Sequence, residues 1–148
     1  MDVNSTTENF TRRALWAQID LDAAAHNMRI IRRHVGPDVR IAAVVKANAY
    51  GHGAVELART FAENGADCFA VSSLDEAVEL RRYAGITKNI FILGHTDGRR
   101  TEELLAYHIE PAVFNLKNAE YFSSEASRLG QTLQVHIAID SGMSRIGF

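Results

Sequence analysis

Two stretches of this chain carry residue types whose order and spacing suit chemistry. The first is Val44-Val45-Lys46-Ala47-Asn48-Ala49-Tyr50-Gly51-His52-Gly53. Lys46 follows an unbroken apolar run, Ile41 to Val45, so its stem leaves a desolvated segment. An amine in that setting loses its proton more readily and becomes a nucleophile toward an aldehyde, which is the chemistry of a Schiff base. The competing reading is a lysine that snorkels to solvent or pairs with a carboxylate. Tyr50 adds a hydroxyl suited to an anionic group. Gly51-His52-Gly53 lets the backbone approach closely ahead of a helix whose N-terminus favours anions. A phosphate-bearing aldehyde would satisfy both features, although tight βα turns also use glycine for their own geometry. The second stretch is Asp140-Ser141-Gly142-Met143-Ser144-Arg145. There a planar guanidinium can meet a carboxylate or a phenolate oxygen, or simply lie solvated, and Asp140 either caps the loop or holds Arg145.

The six histidines are read as structural or solvated. None is spaced with a cysteine or carboxylate as metal ligands are, so no metal site is expected. His52 is expected to orient its own loop, His95 is the better placed of the rest, and His136 faces either side of its strand.

The elements that must position Lys46 and Arg145 follow from two alternating periodicities. Ala24, Met28, Ile31 and Val35 recur at helical spacing and stop at Gly36-Pro37. Ile41 to Val45 then reads as a parallel strand buried on both faces. The pattern repeats: a helix through Ala54, Leu57, Ala58 and Phe61, a strand from Cys68 to Val71, and a helix opened by the capping box of Ser73 and Glu76. A strand from Ile90 to Leu93, a short helix from Thr101 to Tyr107, and a strand from Pro111 to Phe114 come next. A helix through Ala119, Phe122, Ala126 and Leu129 precedes a fifth strand from Leu133 to Ile139. Strands alternating with helices predict right-handed crossovers and a parallel α/β sheet, either doubly wound or part of an eight-stranded barrel. In both, ligands meet the carboxyl ends of the strands, where Lys46 and Arg145 fall. No helix follows the fifth strand, so the chain reads as a piece of a larger architecture.

Composition excludes several classes. The chain has 148 residues, 47% hydrophobic and 23% charged, with a formal net charge of −2, which is ordinary for a globular protein and leaves no electrostatic footprint for nucleic acid or an anionic membrane. No apolar run approaches the roughly 20 residues a membrane span needs. The one cysteine, Cys68, sits in an apolar run and suits a reducing compartment, most simply the cytoplasm. Residues 1–13 are polar, lack a secretory signal's apolar core, and read as a tail.

The segment from Val44 to Gly53 closely resembles the pyridoxal-phosphate lysine motif of the alanine racemases. Arg13-Ala14-Leu15-Trp16-Ala17-Gln18-Ile19-Asp20-Leu21 with His26-Asn27 resembles the family's opening, and Asp140 to Phe148 its arginine loop. The resemblance implies that residues 14–148 are the N-terminal portion of a TIM-type (β/α)8 barrel, interrupted after the fifth strand, with the family's C-terminal β domain absent. It implies pyridoxal 5'-phosphate as cofactor, a small amino acid as substrate, and a cytoplasmic homodimer supplying D-alanine for peptidoglycan. Lys46 would form the internal aldimine and move the α-proton on one face of the substrate. Tyr50 would bond the cofactor phosphate, and Arg145 would contact the phenolic oxygen and the substrate carboxylate.

Two departures bear on activity. Many members carry a carbamylated lysine seven residues before the loop arginine, where this chain has Ala138, which opens the alternative of a racemase for serine or another small amino acid. The family's second base, a tyrosine of the later domain donated by the partner chain, has no counterpart in these residues. The isolated 148 residues are therefore expected to be inactive, and a non-catalytic pyridoxal-phosphate-binding protein is the reading from another class.

Overall fold

The computed structural model describes residues 15–148. The expected tail over residues 1–13, and Arg13-Ala14 of the opening motif, lie outside the described residues.

Helix α1 (Leu21–Val35) starts where Asp20 accepts a hydrogen bond from Ala23 N–H at 2.9 Å, a side-chain cap for an otherwise unpaired donor. Its inward face differs from the expected one. Ala25 and Met28 are buried, whereas Ile31 is 47% exposed. The next inward position after Met28 belongs to Arg32, whose guanidinium finds a complete set of acceptors. It donates to the carbonyls of Gly65 (2.7 Å), Gly36 (3.0 Å) and Val39 (2.6 Å) and to the Asp67 carboxylate. The same carboxylate accepts Ile41 N–H at 2.6 Å. One partly buried fork therefore ties the end of α1 to the starts of the first two strands.

The Ile41 N–H bond holds the Asp67 carboxyl below its usual range. Burial pushes the other way, and Arg32 adds to the lowering. A carboxyl lowered in the folded state contributes stability that is complete above its unfolded value of ~3.9 and is lost as pH falls through the lower folded value. Asp67→Asn is expected to cost about 1–2 kcal/mol at pH 7, since the carboxylate is partly solvent-screened. The gap to wild type should close in thermal melts below the ordinary carboxylate range. A gap that persists there would mean that shape, not charge, is what matters.

Four strands, β1 (Ala42–Val44), β2 (Cys68–Val71), β3 (Asn89–Ile92) and β4 (Ile109–Glu110), form a parallel sheet in sequential order. Strands β5 (Ala112–Val113) and β6 (His136–Ile137) form a second parallel pair. Pro111, expected to open a strand running to Phe114, lies instead between β4 and β5, having no N–H to give a ladder. The intervening helices are α2 (Lys46–Tyr50), α3 (Ala54–Asn64), α4 (Leu74–Glu79) with a π-helical continuation at Leu80–Ala84, α5 (Thr101–Ala106) and α6 (Leu116–Arg128). The strand order never reverses, as a doubly wound sheet's must. The central strand β2 is buried on both faces, whereas β3 is covered on one: Ile90 and Ile92 are fully buried, while Asn89 on the opposite face is exposed. Phe69, Val71, Leu104 and Ile109 complete the core with them.

The fifth expected strand, Leu133 to Ile139, shortens to β6. Ile137 and Ile139 are 67% and 68% exposed. Val135 and Ile137 border a groove of about 420 Å³ whose far wall is Ala119, Phe122 and Ala126 of α6. Nothing among the described residues packs into it, so this strand lacks the apolar support the others have. No helix among the described residues is long and apolar enough to cross a membrane.

Candidate functional site

The chain leaves β1 in a conformation the sequence reading did not anticipate. Ala47, Asn48 and Ala49 of α2 have φ near +50° and ψ near +50°, and Tyr50 has φ +56°. This is a left-handed turn of four consecutive non-glycine residues. Each costs on the order of 1 kcal/mol or more, so such a turn persists only where its surroundings enforce it, typically at functional sites. The enforcement is visible. Ala49 is buried and its N–H reaches Val45 O at 2.9 Å. His52 Nδ1 lies 2.9 Å from Ala49 O, so His52 orients its own loop as expected. Asn48 Oδ1 accepts Ala54 N–H at 2.8 Å and thereby caps α3. That last bond takes one of the N–H groups at the start of α3 for the loop itself.

Within this frame Lys46 stands at the carboxyl end of β1, half-buried, and Tyr50 one turn later with its ring 60% exposed. Neither Lys46 Nζ nor Tyr50 Oη has a hydrogen-bond partner among the described residues, and Lys46 makes no ion pair there. The alternative of a lysine committed to a carboxylate does not hold. Val44 on β1 and Leu93 just past β3 are each about two-fifths exposed, leaving some apolar surface open at the carboxyl ends.

A further carboxylate reaches this turn from α4. Glu76 Oε1 accepts Ala47 N–H at 2.7 Å, and Oε2 accepts both Ser72 N–H and Ser72 Oγ–H at 2.8 Å. The expected capping box is only half formed: Ser73 Oγ accepts Glu76 N–H at 3.3 Å, but the Glu76 side chain turns away to Ser72 and Ala47. Burial pushes the Glu76 carboxyl up, and the bonds from Ser72 and Ala47 more than offset it, leaving the group below its usual range. Gly94 passes close to Ser72, where an added Cβ would stand 2.6 Å from Ser72 O, so only glycine fits there. The sequence signal for Glu76 was present, but it pointed to another job.

Arg145 lies beyond β6, at the far end of the strand order from Lys46 but likewise past a strand's carboxyl end. Asp140 does not hold it. Asp140 Oδ1 accepts the N–H groups of Gly142 (2.8 Å) and Ser144 (3.0 Å). The Ser144 bond first and then Gly142 hold its carboxyl low. Asp140 thus caps the loop, and Asp140 N–H and Phe148 O close it at 3.0 Å. Arg145 is exposed, with no partner for its guanidinium among the described residues. Lys46 and Tyr50 are therefore brought together on one turn, and Arg145 is presented from a separate loop at the same end.

The remaining residues singled out earlier take structural roles. His136 pairs with Glu110 at 2.5 Å and stacks on Phe91, which settles its direction toward the uncovered face. His95 meets the Phe114 ring edge-on. Cys68 is buried, its thiol pushed up by burial. Among the described residues no cluster suits a metal ion.

Comparison with known proteins gives a consistent set of matches. The family model described as "Alanine racemase, N-terminal domain" matches residues 19–148. An alanine racemase of Clostridium perfringens is 52% identical over 136 residues, covering 92% of this chain and 35% of that protein. Among solved structures, the alanine racemase of Clostridium difficile 630 superposes with a TM-score of 0.85 at 41% identity, over 90% of this chain and 35% of that one. The alanine racemase of Bartonella henselae with covalently bound pyridoxal phosphate gives 0.80 at 29% identity, over 87% of this chain and 37% of that one. The chain thus spans about a third of the length of the relatives it matches.

Proposed function

Because the chain belongs to the alanine racemase family, matching its N-terminal domain, we propose that it is the lysine-bearing portion of a pyridoxal-phosphate-dependent racemase interconverting L- and D-alanine. The observation that carries this is Lys46 Nζ, half-buried at the carboxyl end of β1 on a left-handed turn and without a partner among the described residues. The residues fit pyridoxal phosphate in kind: an uncommitted amine, an uncommitted phenol in Tyr50, and partly exposed apolar side chains, Val44 and Leu93, at the carboxyl ends of β1 and β3.

When bound, pyridoxal phosphate supplies an aldehyde for an amine and a ring that draws electrons from the substrate α-carbon. Lys46 holds it through Nζ and is the base that takes and returns the α-proton on one face of the substrate. Tyr50 Oη donates a hydrogen bond to the phosphate. Arg145 offers its guanidinium to the phenolic oxygen and to the substrate carboxylate. The proposal includes closure of the sequentially ordered strands into an eight-stranded barrel, a homodimer for the complete protein, and a cytoplasmic setting in which D-alanine feeds peptidoglycan. Ala138, where many members have a carbamylated lysine, leaves Arg145 without that support, and this favours keeping serine as a second substrate to assay.

The test is to add pyridoxal phosphate, reduce with borohydride and map the adduct by peptide mass spectrometry. A single adduct on Lys46 supports the reading. Labelling spread over exposed lysines such as Lys117 would overturn it for this chain.

A further inference from the structure

We infer that Glu76 is a positioning residue for Lys46, its carboxylate fixing the Lys46–Ala47 peptide from the next βα unit and so maintaining the left-handed turn that presents the amine. The inference rests on the proposed role of Lys46 but is argued from geometry alone. Four left-handed non-glycine residues need an outside restraint. The hydrogen bonds of Ala49, His52 and Asn48 are all internal to the segment from Val45 to Ala54, so they shape the turn without fixing where it sits on the sheet. The bond from Ala47 N–H to Glu76 Oε1, at 2.7 Å, comes from 29 residues away and belongs to another element. It acts on the amide immediately after Lys46, the point where β1's extended backbone gives way to the turn. Its acceptor is itself held, because Oε2 takes both Ser72 donors. The restraint therefore runs from the carboxyl end of β2 through Ser72 and Glu76 to the reactive lysine at the end of the adjacent β1. A carboxylate suits the task because charge-assisted bonds are shorter and stronger than neutral ones, and because it accepts from two sides at once. Glutamine cannot do both: one of its two terminal heavy atoms is an amide nitrogen, itself a donor, which would face a donor.

Two measurements on the 148-residue chain decide it. In Glu76→Gln, amide hydrogen exchange at Ala47 is expected to rise about tenfold or more, while core amides of Phe69 and Ile90 stay within about twofold. Borohydride-trapped pyridoxal adduct on Lys46 should fall with it, by about fivefold or more relative to wild type. Unchanged Ala47 exchange, or faster exchange with full Lys46 trapping, overturns the inference. If wild type shows no Lys46 adduct, the cofactor reading fails, and the exchange result alone decides whether Glu76 holds the turn. Should the variant not fold, wild type suffices. Its Ala47 amide proton resonance is expected to move as the Glu76 carboxyl is titrated, and an Ala47 resonance indifferent to that titration overturns the inference.

Discussion

Replacing Lys46 by alanine is expected to eliminate the borohydride-trapped pyridoxal adduct and, in a protein completed with the family's remaining two-thirds, to lower racemisation by about 10⁴-fold or more, roughly 5.5 kcal/mol of transition-state stabilisation. The size follows from two losses at one atom. On the proposed reading Nζ is both the nucleophile that fixes the cofactor and the base on one face of the substrate. Lys46→Arg is expected to be nearly as severe although it keeps charge and length, because a guanidinium stays protonated and makes no Schiff base. Fold stability should move little in either variant, since Lys46 Nζ has no partner among the described residues to lose. Peptide mapping checks the adduct, and a D-alanine-specific coupled assay checks the rate. A Lys46→Arg protein that retained a tenth of wild-type turnover would remove Lys46 from the chemistry.

Much of the scaffold behind that prediction was legible because it rests on local rules. Ile41 to Val45, Cys68 to Val71 and Ile90 to Leu93 are apolar runs too short for helices, separated by helical periodicity, and each gave a parallel strand within a residue or two. Glycines marked helix ends at Gly36, Gly65 and Gly85. Three misses share a cause, in that the deciding group is far away in sequence. Ile31 was assigned to the core and is exposed, because Arg32 has acceptors at Gly65 and Asp67 that no helical wheel displays. Glu76 matched a capping box, but its carboxylate went to Ser72 and to Ala47, 29 residues earlier. The turn from Ala47 to Tyr50 shows nothing in composition, since alanine and tyrosine are poor left-handed residues; only the bonds holding them reveal it.

The site divides the same way. Lys46 and Tyr50 were found together because one turn carries both, and the structure keeps them on one turn. The placement of Arg145 at the same end was implied by strand direction, but its freedom was not. Asp140 could have been its partner on sequence alone, and the loop's own N–H groups claim that carboxylate instead. A capped loop with an uncommitted guanidinium is preorganised in its backbone and open in its side chain, as a site that must accept a carboxylate should be.

The 148-residue chain itself, supplied with pyridoxal phosphate and L-alanine, is expected to form no D-alanine above the rate of the free cofactor. Inversion at a tetrahedral carbon needs a proton removed from one face and delivered to the other. On the proposed reading Lys46 serves one face. The resemblance assigns the other to a tyrosine outside the segment matched here, and each positioned acid or base is worth about 10²–10⁴-fold. What a single base can do is return the proton to the face it came from. In deuterium oxide, one enantiomer of alanine is therefore expected to gain α-deuterium with its configuration retained, and the other to gain none above free cofactor. The two signals separate cleanly, deuterium by mass spectrometry and configuration by chiral chromatography. Exchange without inversion that disappears in Lys46→Ala would place the base on the amine that the left-handed turn presents. Inversion at a rate comparable to exchange would mean that a second acid or base already lies within these residues, and Tyr50, the phenol on the same turn, would be the first to substitute.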